Sequence, residues 1–178
     1  MRRLVLAALT AAALCAPALA QPQRSGGLDN IATQTAQQLQ TGIENKHPVA
    51  YYALAKRLFE SGARDEAVFW FYAGQIRWRA YLMGNPQLPR DGDPALFASL
   101  SEVVGRPLNE YAFGDIPGLA KIIDRALEWD ASHPDRYAKA PEREKSRSGL
   151  ISMKTGMLAR ADEIRATRVK NGLGNRTQ

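Results

Sequence analysis

Residues 66–83 read EAVFWFYAGQIRWRAYLM, and this stretch decides the fold. From Ala67 to Ala73 every side chain is apolar or aromatic. A strand is the competing reading of Val-Phe-Trp-Phe-Tyr. Helix formers on both flanks and the stripe Ala67, Phe71, Gly74, Trp78 decide for a helix. Apolar side chains all around a helix mean that it is covered on most sides, so this element is the centre of a helical core. Asp65 is the expected N-cap.

Working outward, Leu28, Ile31, Ala32, Thr35, Leu39 and Ile43 recur at helical spacing and predict a first amphipathic helix. His47-Pro48 opens a second, with apolar face Tyr51, Leu54, Ala55 and Leu58, that stops at Ser61-Gly62. After the central helix, residues 84–93 (GNPQLPRDGD) read as a loop. Asp93-Pro94 starts a short helix carrying Leu96, Phe97, Leu100 and Val103, and residues 105–114 (GRPLNEYAFG) read as an irregular connection. Asp115 caps a fifth helix with Ile116, Leu119, Ala120, Ile123, Ala126 and Leu127 on one face, closed by His133-Pro134. A sixth, long helix carries Leu150, Met153, Met157, Ala161 and Ile164. The expectation is an all-α, single-domain bundle of about six helices over residues 28–171, with residues 172–178 as a disordered tail.

At the other end, Arg2 and Arg3 precede the apolar run Leu4–Ala16, and Ala18-Leu19-Ala20 supplies small residues at the positions a signal peptidase reads. This pattern predicts an export leader over residues 1–20, cleaved before Gln21, a flexible lead-in over 21–27, and a periplasmic or secreted destination. The run is shorter than the roughly 20 residues a membrane span needs. Cys15, the only cysteine, lies inside the leader; the bulky Leu14 before it argues against lipidation. Without Arg2 and Arg3, the 24 Lys/Arg fall to 22, against 18 Asp/Glu. The surplus is concentrated from Lys139 onward, where ten basic residues face four acidic ones. A basic C-terminal helix suits an anionic envelope surface or an acidic partner, and nucleic acid is not the expected target of an exported chain.

Within this frame, residues 50–74 (AYYALAKRLFESGARDEAVFWFYAG) resemble a single tetratricopeptide unit, and equally a Sel1-type one. Tyr51 stands at the Trp position, Leu54 and Ala55 at the Leu-small pair, Leu58 at the first-helix aromatic and Gly62 at the turn. Ala67 takes the small contact position and Phe71 the second-helix aromatic. Gly74 stands where the pattern has Ala, and Arg79 where it has the terminating Pro. The resemblance implies a helical hairpin inside the bundle and protein binding as its role. The chain as a whole also resembles exported proteobacterial proteins, a likeness that implies no activity.

Chemistry is sparse. The two histidines, His47 and His133, both precede proline at helix boundaries, where a capping role is expected. No G-x-S-x-G, H-E-x-x-H, calcium loop or phosphate-cradling glycine loop is present, so no cofactor or metal is expected. The remaining catalytic option is one carboxylate acting as general acid on a glycan. Glu110, beside Tyr111 and with Arg106 as a cationic neighbour, is its candidate. The preferred site is Arg77, Trp78, Arg79 and Tyr81 with Arg57 on the neighbouring helix, because Trp, Tyr and Arg dominate interface hot spots. In that reading Arg77 and Tyr81 share a face that grips an acidic ligand. The expected function is a non-enzymatic, exported protein-binding module (adaptor, inhibitor or immunity-like). The alternatives are a glycan-active enzyme using Glu110 and a protein held to an anionic surface by its basic C-terminal helix.

Overall fold

The computed structural model describes residues 30–176. The expected leader with Cys15 and the lead-in lie outside the described residues. The described chain is all-α: α1 (Ala36–Gln40), α2 (Val49–Glu60), α3 (Arg64–Gly84), α4 (Asp93–Val103), α5 (Gly105–Ala112), α6 (Ile116–Ser132), α7 (Ala140–Ala159) and α8 (Ala161–Lys170). A 3-10 turn, Ile43–Asn45, links α1 to α2. None of these helices is long and apolar enough to cross a membrane.

α3 is the axis of the molecule. Every residue from Ala67 to Trp78 is buried, and α2, α5, α6 and α7 pack around it. The α2–α3 turn is short because Gly62, at φ +88°, takes the left-handed conformation that ends α2. The two helices then cross very closely. A Cβ on Gly74 would lie 2.7 Å from Tyr51 Cβ, so only glycine fits at that point. A second close approach joins α3 to α5, where the Phe71 ring would sit 2.7 Å from a Cβ on Gly105.

Several boundaries differ from the sequence expectation. The first helix is only five residues long. Thr35 and Gln38 close a reciprocal capping box at its start, and Gly42, at φ +61°, ends it. Residues 105–114 are mostly helix, since Pro107 falls in the first turn of α5, where its missing N–H is not needed. Asp65 is not the N-cap of α3; that position is Ala63, and the Asp65 carboxylate accepts from the Tyr111 hydroxyl at 2.8 Å. The long C-terminal helix is broken at Arg160 into α7 and α8.

The tail is tied down as far as Arg176. Arg168 donates to Gly174 O at 2.7 Å, the Arg176 backbone N–H donates to Gly114 O, and the Arg176 guanidinium donates to the Tyr111 hydroxyl. These bonds strap the C-terminus across the α5–α6 corner.

Candidate functional site

The residues expected to form a surface are divided by α3 between its interior and exterior. Arg77 is 1% exposed and Trp78 0%. The Arg77 Nε donates to Asp130 Oδ1 at 2.9 Å, and its terminal nitrogens donate to the carbonyls of Pro134 and His133 at 2.6 and 3.0 Å. Its guanidinium also lies over the Trp129 ring. Asp130, fully buried on α6, shares its second oxygen between Arg143 and Arg147 of α7, each at 3.2 Å. Arg77 therefore grips no external ligand; it locks α3 to α6 and to the α6–α7 connection. The signal for this was present in the sequence: Asp130 continues the buried stripe Ile116, Leu119, Ile123, Ala126, Leu127 and is its single charged member.

Trp78 is core, edge-on to Tyr52 at 5.0 Å and Phe97 at 5.5 Å. Tyr81 is half-buried, its hydroxyl 3.4 Å from Asp93 Oδ2. Arg57 turns toward the chain's own N-terminal segment and donates to the carbonyls of Ile31, Ala32 and Gln34. Of the five residues only Arg79 is exposed.

Both histidines lie at helix ends, His47 just before the N-cap Pro48 of α2 and His133 at the C-cap of α6. His47 Nδ1 accepts from the Val49 N–H at 3.3 Å while its Nε2 lies 3.3 Å from Asp93 Oδ1. Burial holds its pKa below the usual imidazole value, against the opposing pull of Asp93. His133 stacks on Trp129 at 4.3 Å, its Nδ1 2.7 Å from Trp129 O.

Glu110 is exposed on α5, in an open cleft of about 560 Å³ shared with Arg168 of α8. Arg106 pairs with Glu102 instead of Glu110. A carboxylate kept protonated for acid catalysis is typically held in an apolar pocket, and Glu110 is not enclosed in one. Among the described residues no group of three or more His, Cys, Asp or Glu is placed to hold a metal ion. Four basic residues of the C-terminal stretch sit against acidic side chains of the chain itself: Arg143 and Arg147 on Asp130, Lys154 on Asp124, Arg165 on Asp162.

A further surface feature is a groove of about 560 Å³ between α3, α4 and α7. It arises because no residue of α4 is fully buried, so a valley stays open between α4 and α7. Ile76, Leu82, Phe97 and Leu150 make an apolar floor, and Met83 and Met153, each 37% exposed, stand at the rim. Arg79 of α3 and Lys145 of α7 are its charged residues, and no carboxylate lines it. The Arg79 Nε donates to Gln75 Oε1, and its guanidinium lies 5.4 Å from the Phe97 ring centroid. Sequence reading found Arg79 and missed the rest, because α7 contributes Lys145, Gly149 and Met153 from some seventy residues away.

No family model matches the chain. An uncharacterized protein of Haemophilus influenzae (strain ATCC 51907 / DSM 11121 / KW20 / Rd) is 36% identical over 90 residues, which cover 49% of this chain and 34% of that protein. The chain thus spans about a third of the length of the curated relative it matches. No solved structure matches.

Proposed function

We propose that the protein is an exported, non-catalytic helical binding module that receives a protein partner in the groove between α3, α4 and α7. One observation carries this reading: an apolar, methionine-rimmed valley bears two cations and no carboxylate. Methionine side chains adapt to varied partner shapes, and an apolar floor with a charged rim is the usual anatomy of a protein interface. Export is supported by the leader pattern of Arg2, Arg3, Leu4–Ala16 and Ala18-Leu19-Ala20. The α2–α3 hairpin, where the tetratricopeptide-like pattern lies, then acts as scaffold: two aromatic residues of that pattern, Tyr51 and Phe71, are buried.

The test is affinity capture from envelope extracts with the C-terminally tagged full chain, alongside an Arg79→Glu/Lys145→Glu variant. A stoichiometric protein partner retained by the native chain and lost from the variant is the expected result. A partner held equally by both moves the interface elsewhere on the molecule. Release of soluble glycan fragments from peptidoglycan, abolished in Glu110→Gln, would instead establish the enzymatic reading.

A further inference from the structure

We infer that the occupant of this groove is an acidic amphipathic α-helix of a partner protein, lying over α3 between α4 and α7 as an added helix of the bundle. The inference rests on the binding-module reading above and specifies the partner's chemistry.

The groove has the periodicity of a helix seam. On α3 its lining residues are Tyr72, Gln75, Ile76, Arg79, Leu82 and Met83; on α7 they are Lys145, Ser146, Gly149, Leu150 and Met153. Both sets follow the three-and-four spacing by which one helix receives another. From Tyr72 to Met83 the seam runs eleven residue steps of about 1.5 Å, roughly 16 Å in all, which fits an occupant of roughly three turns.

Gly149 supports the same reading. It sits in the interior of α7, where glycine weakens a helix, yet a Cβ there would meet nothing within 4 Å. The chain's own packing does not require it, whereas a helix docking on this face gains close backbone approach.

Charge and enclosure exclude two other occupants. The trough is open to solvent along one side, so an acyl chain in it would leave much of its length in water, losing the burial that drives such binding. An amphipathic helix needs only its apolar stripe covered and keeps its polar face wet. A second copy of this chain would bring Arg79 and Lys145 against another cationic surface if it docked by the same groove. Both residues are exposed, and neither forms an ion pair with a carboxylate among the described residues. Carboxylates along the flank of an incoming helix would meet them.

The experiment uses the purified protein and three synthetic 14-residue helices that share one Leu/Met stripe and carry Glu, Gln or Lys on the polar face, with sodium dodecanoate as a fourth probe. Binding is followed by calorimetry. The Glu-faced helix is expected to bind one-to-one, about tenfold or more tighter than the Lys-faced one. Arg79→Glu/Lys145→Glu should invert that order. Gly149→Leu should abolish binding while leaving the thermal midpoint unchanged or raised, since the new side chain enters open space. Equal binding of all three helices overturns the acidic assignment. Binding of dodecanoate but of no helix overturns the helix and leaves the groove as a site. Concentration-dependent dimerisation lost in Gly149→Leu assigns the groove to a second copy, and binding of no probe removes both this inference and the groove reading beneath it.

Discussion

At the scale of single residues, the molecule depends most on Asp130. Burying a carboxylate costs several kcal/mol unless its charge and lone pairs are answered, and here Arg77, Arg143 and Arg147 answer both oxygens. The arrangement also draws two arginines of the C-terminal basic stretch onto an acidic residue of α6. Asp130→Asn keeps the shape and removes the charge. It leaves Arg77 buried with only Asp135, 4.0 Å away, as counter-charge. A loss of about 3–5 kcal/mol is expected, read as a drop in the urea midpoint with an unchanged slope. A loss under about 1 kcal/mol would mean that water reaches Arg77. The expectation that Arg77 faces outward failed for a definable reason. Arginine is rarely buried without a partner, and its partner is 53 residues away in the chain, beyond the reach of any local pattern.

At the scale of elements, the decisive contact is the α2–α3 crossing. Tyr51 and Gly74 meet there at a distance that leaves no room for a methyl group. Gly74→Ala, which raises intrinsic helix propensity, should nonetheless destabilise the protein by about 1–3 kcal/mol through overpacking. Gly149→Ala, at a site with open space, should stabilise it by up to about 1 kcal/mol. Thermal unfolding of the pair side by side separates packing from propensity; a Gly74→Ala variant as stable as the native protein, or more so, would contradict the crossing geometry. The same principle shows why the sequence of α5 resembles a connection. Gly105 and Pro107 look like breakers, but one is there to admit the Phe71 ring and the other occupies a first turn that tolerates proline. The capping box of Thr35 and Gln38 is written in the sequence as Thr-x-x-Gln and marks the start of α1.

At the scale of the whole molecule, His47 joins parts of the chain that are distant in sequence. Its ring touches Trp78 and Tyr81 of α3 and Tyr137 of the α6–α7 connection, and its Nε2 faces Asp93 at the start of α4. The Val49 N–H donates to Nδ1, which requires that nitrogen to be unprotonated. Burial lowers its pKa in the folded state below the unfolded value of about 6.5. Between those two values the unfolded chain binds more protons than the folded one. Stability is therefore full above about pH 6.5 and is lost as pH falls through the folded pKa. His47→Asn keeps an acceptor for Val49 and removes the titration. Its unfolding free energy should fall less than the native protein's between pH 7 and pH 5, as measured by urea denaturation. Parallel profiles would show that His47 protonates freely in the fold.

The sequence by itself determined the all-α class, the central buried helix, the Gly62 turn, the helix start at His47-Pro48 and the capping position of Asp115. Each of these is set by the order of neighbouring side chains, through periodicity, propensity and local hydrogen bonds. It also singled out Arg79, without the groove that gives Arg79 a use. Only the tertiary structure decided which of Arg77 and Arg79 faces solvent and that Asp130 gathers three guanidinium groups. It alone opened a valley between α4 and α7. Those outcomes depend on which helix lies opposite which, and a helical repeat records how apolar a face is but carries no information about the identity of the face that covers it.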